Sequence, residues 1–283
     1  MPNSYLRFLL LLLAPLFGES LHSQTRLTGQ IIDQHTSKPV PWVNVGIPQA
    51  RRGTVSDEQG KFSIEVNTPE HELVISAIGY AQRKLQAKNW PRNGRVTLVP
   101  QAYAIDSVTV TSRRFANQPV RYGEYNKKGR GTSLGFGSQQ LGSEFGALIP
   151  LEGPTLLKKA FFVLNHAKGD SMHFRINIYA YQDGEIGENV LQENVLIREK
   201  QRKGTLAIDL APYSIAVDGP VLLTLEWIKN DGEAGNQGLS FDVVKARHLP
   251  GTYMRMTSQA PLERVMYKKR YRPCFYVEGI PAN

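Results

Sequence analysis

Near its end the chain carries the run MYKKRYRPCFY, from Met266 to Tyr276, in which Tyr267, Tyr271 and Tyr276 interleave with Lys268, Lys269, Arg270 and Arg272. Aromatic faces set among cations can hold a polyanion or a sugar ring by charge and stacking. The same composition also blunts the edge of a sheet against pairing with another chain. Tyr267, Lys268, Lys269, Arg270, Tyr271 and Arg272 are therefore the candidate ligand-binding residues, with a charged sheet edge as the alternative. A second basic run, Arg198 to Lys203, lies between apolar stretches and reads as a solvated turn.

Constellations for catalysis are weaker. Gly131-Thr132-Ser133-Leu134-Gly135 matches G-x-S-x-G, but a nucleophile elbow needs a strand before the serine and a helix after it. Here Lys127, Lys128 and Arg130 precede it and Phe136, Gly137 and Ser138 come after, with no α/β alternation in the chain. None of His22, His35, His71, His166, His173 and His248 has a Glu three residues on, as a zinc peptidase would require. His71 and Glu72 are adjacent and would point to opposite faces of a strand. His166 and His173 flank one turn and could meet across a hairpin, but two ligands do not make a metal site. Asp33, Asp57 and Glu58 lack the loop spacing of a calcium site. Asp183, Glu185, Glu188, Glu226 and Asp242 could supply the two carboxylates of glycoside hydrolysis, yet nothing in the sequence sets their separation. Leu223, Leu225 and Trp227 share one strand face, which places Trp227 in a core and Glu226 outward. No catalytic residue, metal or cofactor is expected.

The N-terminus limits the setting. Arg7 followed by the apolar run Phe8 to Phe17 and a small, polar stretch to Ser23 is the pattern of a cleaved export signal, so 1–23 is read as a signal peptide. Cleavage falls after Ser23, or after Ser20 as the alternative. The region holds no cysteine for a lipid anchor, and no later segment is apolar enough to span a bilayer as a helix. The single cysteine, Cys274, rules out an internal disulfide, so stability must come from packed cores. A formal net charge of +9 would allow nucleic acid, but export argues against it. Phosphorylated lipid headgroups, an acidic polysaccharide or an acidic protein are the partners the charge favours.

These residues must be positioned by strands. From Leu27 to Tyr80 apolar residues alternate with polar ones, as in Val43, Val45 and Ile47, in Phe62, Ile64 and Val66, and in Leu73 and Ile75. Period two is the mark of half-buried strands, and Pro39, Pro41, Gly53, Asp57, Gly60 and Gly79 supply breaks and turns. Asp57 can bond local amides and Gly60 tolerates positive φ, so Gly53 and Gly60 are expected to bracket a tight reversal.

Gly29, Asp33, Pro39, Pro41, Val43, Val45, Gly53, Thr54, Ser56, Asp57, Gly60, Phe62, Gly79 and Tyr80 fall in an order that resembles the carboxypeptidase-regulatory-like domain, a transthyretin-like (prealbumin-like) sandwich of seven strands. Val43 stands where a small Ala is usual and Ser56 stands for Thr. The resemblance implies a fold and an extracytoplasmic setting, not peptidase activity, because in carboxypeptidases this domain is an appendage without catalytic residues. Ala104 to Thr111 alternates cleanly as a closing strand. It is similar to the exit of this domain in TonB-dependent receptors of the bacterial outer membrane, where it leads into a plug and barrel; a barrel is not expected here.

Residues 24–112 are thus expected to form the regulatory-like domain and 113–150 a Gly-rich basic linker or irregular lead-in, with Phe136, Phe145 and Ile149 packing on the domain C-terminal to it. Residues 151–283, with eight or so short strands, read as a second, jelly-roll-like β-sandwich. The chain is all-β. It is expected to be an exported, non-catalytic interaction or scaffold protein of the Gram-negative envelope, periplasmic or at the cell surface, bound to an envelope protein or glycan. The alternative is a carbohydrate-binding or carbohydrate-active protein using the second sandwich and exposed Tyr179, Tyr181 and Tyr271.

Overall fold

A computed structural model describes residues 25–101, 116, 118–125, 133–137, 141–168, 171–200, 203–231, 238–245, 252–265 and 271–282. The expected signal peptide, the alternating stretch Ala104 to Thr111, and Tyr267, Lys268, Lys269 and Arg270 lie outside the described residues. No described helix is long and apolar enough to cross a membrane.

Alternation at the start of the chain builds seven strands: β1 (Thr25–Asp33), β2 (Asn44–Ile47), β3 (Arg52–Val55), β4 (Lys61–Val66), β5 (Glu72–Ser76), β6 (Arg83–Gln86) and β7 (Arg95–Leu98). They form a three-stranded sheet, β4-β1-β7, and a four-stranded sheet, β3-β2-β5-β6. Ile31, Phe62, Ile64, Val45, Ile47, Leu73, Ile75 and Leu98 fill the space between them. The turn chemistry follows the residues. The amides of Gln59 and Lys61 donate to Asp57 Oδ1 at 2.9 and 2.8 Å, and Gly60 takes φ +69°. The amides of His35 and Thr36 donate to Asp33 Oδ1, and the Tyr80 hydroxyl donates to Asp33 Oδ2 at 2.9 Å. That bond ties the turn at Gly79 (φ +82°), between β5 and β6, to the first turn. Gly29 has another function: a Cβ there would sit 2.7 Å from the Trp90 ring.

The second sandwich has two larger sheets. One contains β10 (Glu144–Ile149), β12 (Met172–Gln182), β13 (Glu185–Asn189), β14 (Val195–Glu199), β17 (Val221–Asn230), β19 (Thr252–Arg255) and β20 (Glu263–Arg264), in the order β13-β12-β17-β10-β19-β20 with β14 also on β12. The other has β21 (Tyr271–Pro273), β18 (Gly238–Lys245), β11 (Thr155–Lys168), β22 (Phe275–Pro281) and β8 (Val120–Gly123) in that order. β9 (Ser133–Gly137) pairs with β18, and β15 (Gly204–Asp209) and β16 (Ala216–Val217) pair with β11. The chain passes repeatedly from one sheet to the other, for example at β10 to β11, β11 to β12, β14 to β15, β16 to β17 and β17 to β18. Phe145, Ile149, Phe162, Phe174, Ile176, Leu225, Trp227, Phe241 and Phe275 interdigitate between them.

The segment 113–150 supplies more than a linker. Glu144–Ile149 is buried along its whole length between β17 and β19. Its apolar face, Phe145, Ala147 and Ile149, belongs to the core. The glycines that blur its pattern have a packing reason: a Cβ on Gly146 would meet Thr224 at 2.5 Å.

Candidate functional site

On β12, Phe174, Ile176 and Ile178 enter the core, so Arg175, Asn177 and Tyr179 occupy the opposite face; on β17, Leu223, Leu225 and Trp227 do the same and leave Thr224 and Glu226 with them. In an uncovered sheet those polar residues would be solvated. Here the four-stranded sheet of the first sandwich packs over that face. Its own core takes Val45, Ile47, Leu73 and Ile75, while Asn44, Gly46 and Ser76 face the second sandwich. Trp227 is in the core as expected, but Glu226 is not outward: it is fully buried, and so is Glu144 opposite it. Strand alternation separates the two faces but does not reveal that a second domain covers one of them.

The covered face holds a charge-balanced network. Arg175 Nε and Nη2 donate to Glu226 Oε2 at 3.0 and 2.8 Å, and its Nη1 donates to the carbonyl of Trp42 at 2.7 Å and to Asn194 Oδ1. Asn177 Nδ2 donates to Glu226 Oε2 at 3.0 Å and Glu144 Oε1 at 2.9 Å. The hydroxyls of Tyr179 and Thr224 also donate to Glu144. Arg255 Nη2 lies 2.6 Å from Glu144 Oε2 and 3.7 Å from Glu226 Oε1. Two carboxylates therefore share two guanidinium groups and one amide.

Electrostatics decide what this network can do. Burial raises the Glu226 carboxyl, but Arg175, then Arg255 and the Asn177 amide, more than offset it and hold Glu226 below the usual carboxylate range. Burial, followed by Glu144, pushes the Tyr179 phenol well up. Burial opposes the charge on Arg255, but Glu144, Tyr179 and Glu226 keep it protonated. A general acid needs a carboxyl still protonated near neutral pH. Glu226 has the opposite bias and is suited to anchoring.

The contact between the sandwiches extends around this network. Trp42, Val55 and Ile228 form an apolar cluster with Leu141. Trp42 adopts φ +58°, uncommon for a bulky residue; its carbonyl accepts from Arg175 and its ring stacks on His173 with centroids 6.3 Å apart. His173 Nε2 is 2.8 Å from Asp231, which also takes Arg198. Burial raises the Asp231 carboxyl, but the bonds from His173 and then Arg198 lower it overall. Lys229 Nζ reaches Glu58 at 3.1 Å. A loop of the second sandwich fits against bare backbone: a Cβ on Gly46 would lie 2.3 Å from the Ser258 carbonyl and one on Gly53 2.6 Å from it. Gly53 thus lies in a strand and permits close approach, instead of closing the reversal with Gly60.

Beside the network is a cavity of about 270 Å³, lined in part by Asn44, Ile78, Tyr179, Leu191, Glu226 and Arg255. A second cleft of about 640 Å³ lies on β12, β13, β19 and β20, with Tyr181, Glu185, Tyr253 and Arg264 among its walls. The hydroxyls of Tyr181 and Tyr253 are 2.8 Å apart.

Other expected site residues are dispersed. Tyr271 is half-buried in β21, its carbonyl accepting from Thr252 Oγ1. Arg272 is fully buried; it donates to the carbonyl of Leu148 and pairs with Glu124 at 3.4 Å, so it joins the two sheets of its own sandwich. Burial lowers its affinity for the proton. Tyr276 stacks on Phe161 at 4.4 Å, and fully buried Cys274 lies in the same apolar cluster. Tyr179 and Tyr181 take part in the network and the cleft, whereas Tyr271 belongs to the other sheet. His166 and His173 lie in different sheets and do not meet across a hairpin. Ser133 opens a strand paired with β18, and another stretch of strand comes after it where an elbow needs a helix. Asp183, Glu185 and Glu188 are exposed, and Asp242 accepts from Asn165. No group of three or more His, Cys, Asp and Glu among the described residues could hold a metal. Glu144 and Arg255 escaped sequence reasoning because their partners come from distant strands. The one available signal was charged residues inside otherwise apolar strands.

Residues 27–110 match the family model of the CarboxypepD_reg-like domain. Over 108 residues the chain is 32% identical to TonB-dependent receptor P39 of Formosa agariphila, a match that covers 38% of this chain and 10% of that protein. The chain thus spans about a tenth of the length of this relative. Among solved structures, the cysteine protease and lectin-like domains of Cwp84, a surface layer associated protein of Clostridium difficile, give a TM-score of 0.32 at 6% identity, over 54% of this chain and 37% of that one. The VP2 subviral particle of infectious bursal disease virus gives 0.28 at 12% identity, over 91% and 61%. At these scores neither likeness assigns a fold or a function. Residues 27–110 are a CarboxypepD_reg-like domain, and its four-stranded sheet is the part docked on the ion network of the second sandwich.

Proposed function

We propose that the protein is an exported, non-catalytic interaction or scaffold component of a Gram-negative envelope, in which the two sandwiches act as one rigid binding body. The observation that carries this reading is the buried network joining them: Arg175 spans from Glu226 of one sandwich to the Trp42 carbonyl of the other. A network so fully neutralised favours holding a surface in place over proton transfer. The CarboxypepD_reg-like domain and the local likeness to a TonB-dependent receptor support the envelope setting. The test is to crosslink the protein in its own cells, identify the protein or glycan joined to it, and rebuild that complex from purified parts. Recovery only in the cytoplasmic fraction, or a turnover activity abolished by Glu226→Gln in a folded protein, would remove the reading.

A second reading, carbohydrate binding by the second sandwich, is favoured by the cleft at Tyr181 and Tyr253. It combines tyrosine rings with the charged groups of Glu185 and Arg264, a combination that suits sugar faces and hydroxyls. Retardation in gels containing envelope polysaccharide, lost in Tyr181→Ala, is the expected result; unchanged migration of the wild type would exclude it.

A further inference from the structure

We propose that the cavity between the two sandwiches is a binding site for one small, neutral, polyhydroxylated ring of monosaccharide size. This site is separate from the Tyr181–Tyr253 cleft and does not depend on the scaffold reading. Its volume of about 270 Å³ is just under the roughly 300–1,000 Å³ typical of pockets for drug-sized ligands, so it suits a single ring better than a chain. Exposed Gly187 and Glu188 are part of its lining, so it communicates with solvent.

Three buried polar atoms on its lining residues lack a hydrogen-bond partner: Asn44 Oδ1, Glu226 Oε1 and Arg255 Nε. Two accept and one donates. Buried polar groups are nearly always satisfied, and each exception requires a cause. A hydroxyl both donates and accepts, so a polyol can serve both kinds of atom. Ala77, Ile78 and Leu191 add apolar surface for the C–H face of such a ring. The charge balance sets the ligand class: Arg175 and Arg255 already neutralise Glu144 and Glu226, and the remaining charged lining residue, Glu188, is exposed at the mouth, so an ionic group placed in the buried part would lack a counter-ion. The three atoms also come from both sandwiches, Asn44 from β2 and the others from β17 and β19. An occupant touching all three therefore strengthens the docking.

The test is calorimetric titration of the mature full-length protein with glucose, galactose, mannose and N-acetylglucosamine, with glucuronate and glucosamine as charged comparisons. At least one neutral sugar should bind at one per chain and slow hydrogen exchange at Ser76, Ala77 and Ile78. Asn44→Ala removes an unpartnered acceptor and Ala77→Leu fills space without removing a polar group; each should weaken binding about tenfold or more, the scale of one buried hydrogen bond. Either variant suffices if the other fails to fold. Absence of binding by all four neutral sugars to folded wild type overturns the proposal. So does binding that persists in the folded variants, binding without protection at residues 76–78, or a preference for either charged sugar.

Discussion

Replacing Arg175 by Met tests whether the ion network is buried and joins the sandwiches. Arg175 is 2% exposed and gives two hydrogen bonds to Glu226, one to Trp42 and one to Asn194. Its loss leaves fully buried Glu226 with Asn177 at 3.0 Å and Arg255 at 3.7 Å. Removing one member of a buried pair costs about 3–5 kcal/mol, because the other charge stays buried without compensation. Replacing both members by groups of similar shape costs much less. Arg175→Met should therefore destabilise by about 3–5 kcal/mol, and Arg175→Met with Glu226→Gln by clearly less than the sum of the single changes. Urea titration followed by tryptophan fluorescence measures both, since Trp42 lies at the contact and Trp227 in the core. A single-variant loss below about 1 kcal/mol, the range of exposed ion pairs, with additive effects in the cycle, would mean that Arg175 and Glu226 are solvated and uncoupled.

The remaining expectations concern pH and backbone. Glu226 is held below its ordinary value of 4.5, so its contribution is complete above about that pH and is lost as pH falls toward the depressed folded value; acid titration of Glu226→Gln should show a shallower loss of stability in that window than wild type. Gly46→Val puts a side chain where the Ser258 carbonyl lies 2.3 Å from Cβ and should separate the sandwiches at a cost of about 1–3 kcal/mol, seen as faster proteolysis between them. Gly60→Ala requires a left-handed conformation (φ +69°) and meets the Ile31 carbonyl at 2.5 Å; the first sandwich should lose about 1–3 kcal/mol by thermal unfolding, with Trp227 burial unchanged.

Local patterns along the chain are enough to establish the all-β class, the strands of the first sandwich that carry Ile31, Val43 to Ile47, Phe62 to Val66 and Leu73 to Ile75, and most strands of the second; the count of seven strands in the first came from the resemblance. Strand alternation repeats every two residues and turn residues are local, so both can be read without knowing what packs on what. The same holds for Asp57 and Gly60 as organisers of a turn, because their partners include near neighbours in the chain, whereas the bond from Tyr80 to Asp33 spans 47 residues and left no local trace. Arg175, Asn177 and Glu226 are different. They sit on the polar phase of their strands whether that face meets water or another domain, and only the docking of the first sandwich makes them buried. Gly53 follows the same logic, since its lack of a side chain is used by Ser258, far along the chain in the other sandwich. So does Glu144, in a Gly-rich segment without a core pattern, whose partners Tyr179, Thr224 and Arg255 arrive from three other strands. Charge pairing and close packing across long sequence separations leave no periodic trace. The interdomain site therefore exists only in the folded chain.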